Sequence, residues 1–323
     1  MAAPAAPGLR SRKHGFLWEF RKNSVLYLLL IPPLVWVIIF KYRPMYGALI
    51  AFKEYDPFVG FAGSPWVGLK NFREFMRNPM FTNILRNTIV ISLLKLAFGG
   101  PAPLILALMI NEIGSRKFKR ITQTISYLPH FLSWVIVYGI FFLLLSENVG
   151  LVNNLRLMIG LPKMTFLANR DAFYPIIVTS SVWKSIGWGS IIYLAAITSI
   201  PPDIYESAVM DGASRWQQTL YITIPQVLPV FAIMTILALG NILNEDFEQL
   251  FLFMGGTEQL MLTDVGEVFE TYVFRVGFFG MIYTGPRFSY SAAVGFFKSA
   301  FGMVLVIAAN WFAKRKLNYR GVF

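Results

Sequence analysis

The chain has 323 residues, 56% of them hydrophobic and 14% charged, with a mean hydropathy of +0.56. A soluble domain carries about a quarter charged residues, so this composition excludes one and points to a membrane protein. The net charge of +12 is spread over tails and loops between apolar runs, which argues against nucleic acid and for topogenic signals and contact with a membrane surface. Cysteine is absent, so disulfides and thiolate metal sites are excluded, and His14 and His130 stand too far apart for a zinc pattern.

Residues 1–23 form a basic tail with Arg10, Arg12, Lys13, Arg21 and Lys22, and its Ala/Pro-rich start predicts disorder. The apolar run Val25 to Phe40 has no small-residue cleavage site after it, since Lys41-Tyr42-Arg43-Pro44 follows, and reads as a retained span at 25–40. The stretch 41–82 is the longest polar one, and Trp66 to Phe75 within it predicts a short interfacial helix. Further spans are expected at 83–113, 122–145, 173–197, 226–243 and 290–313, each near the ~20 residues that a ~30 Å hydrocarbon core demands. Gly99-Gly100-Pro101 and Pro103 interrupt the second, and Gly255-Gly256 and Gly277–Gly280 predict turns in the 245–289 loop. A basic tail, 314–323, closes the chain.

Six spans place the N-terminal tail, the 114–121 loop with Arg116, Lys117, Lys119 and Arg120, the 201–225 loop and the C-terminal tail on one side. The positive-inside rule makes that side cytoplasmic. The 41–82 loop argues the other way, with Lys41, Arg43, Lys53, Lys70, Arg73 and Arg77 on the opposite face.

The loop from Asp203 to Pro225 is a polar island between two apolar runs. Pro201-Pro202 stop the preceding span, Asp203 reads as an N-cap, and Glu206 is placed to reach back to the cap's N–H. Gly212, after Asp211, allows a left-handed turn. Trp216, Leu220 and Ile224 then recur at helical spacing, and Pro225 marks the next boundary. A short helix, a glycine turn and a second short helix outside the hydrocarbon suit a loop held by another protein; the bland alternative is an amphipathic surface loop.

Glu206-Ser207-Ala208, Asp211-Gly212-Ala213, Ile222, Ile224 and Pro225 resemble the EAA loop of permease subunits in binding-protein-dependent ABC importers. Ser207 departs from the family's alanine but is small enough for the same packing. Phe40 to Pro57, Tyr127 to Ile136 (YLPHFLSWVI) and Phe288 to Arg315 resemble the LplB-type branch of its carbohydrate permeases, and the likeness covers the chain from about residue 25. The resemblance implies an all-α polytopic membrane protein with six transmembrane helices of the type I ABC importer permease fold and a cytoplasmic coupling helix. It further implies a bacterial inner-membrane location, a second homologous permease, an ATP-binding cassette ATPase dimer and an extracytoplasmic solute-binding protein. The branch is linked to oligosaccharides of plant and algal origin, including alginate and pectin fragments.

The chain itself offers no phosphate-cradling loop, since Lys184-Ser185 and Lys298-Ser299 lack the glycines of a Walker A motif. ATP and Mg are therefore expected on partner ATPase subunits, and neither a cofactor nor catalysis is expected here. Ionisable residues within spans usually face a cavity or the bundle interior. Lys184 lies mid-span between Trp183 and Trp188, a plausible sugar site, because indole faces stack on pyranose rings and lysine pairs with a uronate; the alternative is snorkelling or a partner's carboxylate. Lys95 and Lys298 are similar but weaker candidates, and near span ends snorkelling is the preferred reading for both. Asn241 and Asn244 are candidates for bonding sugar hydroxyls or for bridging helices, with the acidic run Glu245, Asp246 and Glu248 read as structural or partner-facing. An ion-coupled secondary sugar transporter would need a carboxylate relay that Glu112 alone does not supply, and a membrane-embedded enzyme would need more than the isolated Asp56 and Asp171.

Overall fold

The computed structural model describes residues 22–256, 262–280, 285 and 287–316. Most of the two expected tails lies outside them. The chain divides into two units, Met1–Ile50 and Ala51–Phe323.

In the first unit, α1 (Ser24–Val37) leads into a π-helical turn, Ile38–Tyr42, and a short helix, Arg43–Gly47. Pro32 and Pro33 lie inside α1. Each lacks the N–H that would reach back four residues, so the carbonyls of Leu28 and Leu29 lose their intrahelical partners.

The second unit is helical through most of its described residues, with loops between the helices and an antiparallel bridge from Lys53 to Trp66. The short helix expected from Trp66 starts later, as α2 (Lys70–Arg77), because Gly68 turns the chain at φ +61° just before it. Next come α3 (Met80–Gly99), α4 (Pro101–Asn111), α5 (Arg116–Tyr127) and α6 (Trp134–Leu145). Helical dihedrals persist through Gly100, so Met80–Asn111 is one 32-residue run despite the glycines and Pro101. After α7 (Arg170–Thr198) lie α8 (Pro202–Met210), α9 (Arg215–Gln218) and α10 (Ile224–Gly240). The chain continues through α11 (Phe247–Phe253), α12 (Phe269–Phe274) and α13 (Phe288–Lys316).

Four helices among the described residues are long and apolar enough to cross a membrane: Ser24–Phe52, Met80–Asn111, Arg215–Gly240 and Phe288–Ala308. Arg116–Phe131 and Trp134–Leu145, bent by 106°, make a fifth if taken as one span. With 29 residues α7 is long enough, but Ser180, Ser181, Lys184, Ser185 and Ser190 dilute its hydropathy.

Three buried clusters hold these helices together. Ile91 of α3, Phe173 and Ile177 of α7, and Leu250 and Phe253 of α11 form one. Phe75, Ile84, Phe269, Tyr272 and Tyr290 tie α2, α3, α12 and α13. Ala107, Ile110, Tyr193, Ile197 and Val227 join α4, α7 and α10 at the other end of α7. Ile177 and Ile197 are twenty residues apart, about 30 Å along a helix, so α7 runs from the first cluster to the third.

Close crossings make this possible. A Cβ built on Gly187 of α7 would lie 1.9 Å from the Ser126 carbonyl oxygen of α5, and one on Gly189 would lie 2.9 Å from the Pro103 ring of α4. Gly277 plays a similar part: expected in a turn, it lies in a π-helical stretch, Arg275–Phe279, 2.7 Å from Ser291 Oγ by the same measure. Gly187→Ala should therefore cost about 1–3 kcal/mol, as overpacking does. Gly139→Ala, which meets nothing within 4 Å, should be near neutral. Thermal unfolding of the two variants in detergent checks the contrast.

Candidate functional site

Two places gather the residues singled out from the sequence. The first is the turn between α7 and α10. Here α8 begins at Pro202, with Pro201 at the cap position and no side-chain cap bond. Asp203 is therefore not the N-cap, and Glu206 does not close a capping box. Pro202 has no N–H to cap, and its fixed φ starts a helix unaided.

The C-terminus of α8 closes as the glycine pattern predicts. Gly212 has φ +80°, Asp211 N–H donates to the Ser207 carbonyl at 3.0 Å, Gly212 N–H to Val209 at 3.0 Å, and Ala213 N–H to Ala208 at 2.9 Å. Ser207 Oγ donates back to the Asp203 carbonyl at 2.8 Å. A capping box does exist, but at α9, where Ser214 and Gln217 exchange bonds. Its S-x-x-Q signature was readable in the sequence and was missed.

Pro225 is not the boundary expected of it. The helical run is continuous over Arg215–Gly240, with a π-helical turn, Thr219–Thr223, just before the proline. A π turn suits the place, since Pro225 leaves the Tyr221 carbonyl without its usual donor. Tyr205 and Thr223 hydroxyls meet at 2.9 Å and tie α8 to that turn.

The outer face of this loop is bare. Met210 is 86% and Trp216 72% exposed. Glu206 is exposed and makes no ion pair among the described residues. A concavity of about 310 Å³ lies over Ala208, Asp211, Gly212, Ala213, Gln218 and Tyr221.

The second place is a cavity of about 370 Å³ between α3, α7 and α10, lined among others by Ser92, Lys95, Ser181, Ser185, Trp188, Tyr193, Thr235, Asn241 and Glu245. Asn241, the residue that ends α10, and Trp188 thus line one cavity. Asn244 lies beside the cavity, donating to Asn241 Oδ1 at 3.3 Å. Lys184 and Trp183 are not among the lining residues. The Lys184 ammonium donates to the His130 carbonyl at 2.8 Å and lies 5.4 Å from the ring of Trp134, while Trp183 packs edge-on against Phe141. Trp134, which the sequence reading passed over, also donates from Nε1 to Asp246 at 2.6 Å.

Lys95 does not snorkel. Its Nζ lies 2.5 Å from Glu245 Oε2, with side-chain exposures of 17% and 5%. Ser92 Oγ lies 2.6 Å from both Glu245 Oε1 and the Thr88 carbonyl, with one proton to share between them. Lys298 does not snorkel either, and pairs with Glu270 of α12. In both cases the carboxylate comes from the segment after α10, which satisfies the cation inside the bundle and removes the need to reach water.

That segment is also pinned by Asn87, whose Nδ2 donates to the Asp264 and Glu267 carbonyls at 3.0 and 3.2 Å. Glu267, outside the long apolar helices, is 1% exposed and bonded to Arg275 at 3.0 and 2.5 Å. Burial pushes its carboxyl above the ordinary 4.5, outweighing the pull of Arg275, which keeps 35% of its side chain exposed.

Residues 99–318 match the family of binding-protein-dependent transport system inner membrane components. The chain belongs to that family. This permease is 42% identical to protein LplB of Bacillus subtilis over 98% of its own length and 97% of the relative's. It is 40% identical to the polygalacturonan/rhamnogalacturonan transport system permease protein YteP of the same organism, over 99% and 98%. A chain in the crystal structure of a bacterial alginate ABC transporter, in complex with alginate pentasaccharide-bound periplasmic protein, superposes with a TM-score of 0.83 at 38% identity, covering 95% of the permease and 99% of that chain. The fold is the all-α, polytopic type I ABC importer permease fold.

A raised carboxyl pKa stabilises the folded state most at pH below the ordinary value and loses that contribution as pH rises through the raised one. Relative to Glu267→Gln, the wild-type Tm in detergent should thus fall as pH rises from 4.5 upward. A wild type that gains on the variant over that range would contradict the assignment.

Proposed function

We propose that this permease forms half of the translocation pore of an ATP-driven importer for an oligosaccharide, an acidic one of the alginate or pectin kind. The observation that carries the reading is the bare turn, with Glu206 and Met210 exposed on α8, which Gly212 closes, and Trp216 exposed on α9. Exposed apolar residues on a short rigid helix mark a surface made for a protein partner. The polysaccharides in the relatives' descriptions support the substrate class.

In this reading the ATPase dimer grips α8, Glu206 pairs with it, and ATP-driven closure moves α8 together with the helices on either side. The continuous run Arg215–Gly240 carries that motion from the loop into the bundle, since no break intervenes. A second, homologous permease completes the pore. A solute-binding protein lands on the 41–82 and 245–289 stretches at the far side, and both termini lie in the cytoplasm. The six-span layout takes α7, with its buried serines, as an inner span shielded from lipid.

Gly212→Pro is the direct test. Proline fixes φ near −65° and removes the N–H that bonds Val209, so the turn cannot close. Uptake should be lost while the bundle keeps its Tm and ATP hydrolysis runs uncoupled from substrate. Normal uptake by the variant would remove the coupling role. Co-purification of the tagged chain with a second permease and an ATPase, weakened by Glu206→Ala, checks the partners; a chain that purifies alone and monodisperse would favour an ion-coupled secondary transporter instead.

A further inference from the structure

The cavity between α3, α7 and α10 contains a single cation and a single anion among its lining residues, Lys95 and Glu245, and they neutralise each other at 2.5 Å. A site that reads a uronate presents uncompensated positive charge. Here an incoming carboxylate would have to displace Glu245, stranding a carboxylate that is 5% exposed, at the steep cost of breaking a buried pair.

A hydroxyl meets the opposite situation. An ammonium has three donors, and among the described residues Lys95 makes one hydrogen bond, to Glu245. Glu245 Oε1 receives only a share of the one Ser92 proton, which the Thr88 carbonyl also claims. Spare donors thus stand next to a spare acceptor, the complement of two adjacent sugar hydroxyls. Trp188 lines the same cavity with one ring face covered by His130, parallel at 4.7 Å. That contact fixes the indole plane and leaves its other face for an apolar partner such as the C–H face of a pyranose. The volume, about 370 Å³, is within the common range for small-ligand sites.

We infer that this cavity binds a neutral diol of the sugar, with Lys95 donating, Glu245 accepting and Trp188 stacking, and that the cavity does not read the substrate's charge. The inference rests on the importer reading above, and leaves recognition of any carboxylate to groups outside the cavity.

The test uses the purified complex of both permeases and the ATPase, without binding protein. Direct binding of a trigalacturonate is compared with that of the neutral galactotriose made by reducing its carboxyls. Wild type should bind both within about threefold, and Lys95→Gln/Glu245→Gln should weaken both by the same factor, about tenfold or more for lost charge-assisted bonds. Should the double variant fail to assemble, Trp188→Leu carries the same expectation alone. A wild type that prefers the trigalacturonate tenfold, or a loss confined to it, would overturn the inference by showing that charge is read. Unchanged binding in the variants would overturn it too, making the pair structural. A complex that binds neither sugar yet hydrolyses ATP when given loaded binding protein would sink the cavity site and spare the importer. Failure of any ATPase to assemble would sink the importer reading itself, and this inference with it.

Discussion

The bundle of the second unit depends on α7 touching its neighbours at backbone distance. Gly187 allows the Ser126 carbonyl of α5 to lie where a side chain would otherwise be, and Gly189 admits the Pro103 ring of α4. Between helices in lipid there is no hydrophobic driving force, so contact of this kind, with serines returning their protons to the local backbone, is what association rests on. Ser190 bonds the Gly187 carbonyl at 2.6 Å and Ser126 the Thr122 carbonyl at 2.7 Å, so neither leaves a hydroxyl unsatisfied at the crossing. The same small, polar residues that lower the hydropathy of α7 give it the thin profile that an inner helix needs.

Charge is handled by the segment after α10. Glu245, Glu267 and Glu270 each meet a cation, from α3, from the stretch after α12 and from α13. Removing one partner of such a pair leaves an uncompensated charge, which costs more than the pair contributes when intact. The segment therefore acts as a fixed counter-charge to the helices it packs on, and it holds α3 and α13 in one arrangement. The cavity lies beside one of these pairs, where fixed and accessible groups meet.

Local signals in the sequence were legible where one chemical cause acts alone. Gly212 closes α8 because only glycine takes φ +80° without cost, and the apolar runs became helices because nothing else satisfies their backbone in lipid. Prolines misled where two causes compete. Pro202 starts a helix and displaces Asp203 from the cap, and Pro225 is absorbed by a π turn rather than ending a helix. Pairings across long separations were invisible. Lys95 and Glu245 are 150 residues apart, so the lysine alone reads as snorkelling or as a weak site candidate, and the carboxylate as structural or partner-facing. Trp134 was hidden for the same reason: its polar neighbours Lys184 and Asp246 come from distant parts of the chain.

The bare face of the α8 turn has a consequence for how the subunit is made. Met210 belongs to the turn between α7 and the Arg215–Gly240 run, and Trp216 stands in the first turn of that run, 86% and 72% exposed. A copy made in excess would display them to water, where they are adhesive to chaperones, proteases and other orphan chains. In the proposed importer, supply of this chain is thereby tied to supply of the ATPase that would close over that face, and an excess of the permease would be met by degradation before any loss of stability within the bundle.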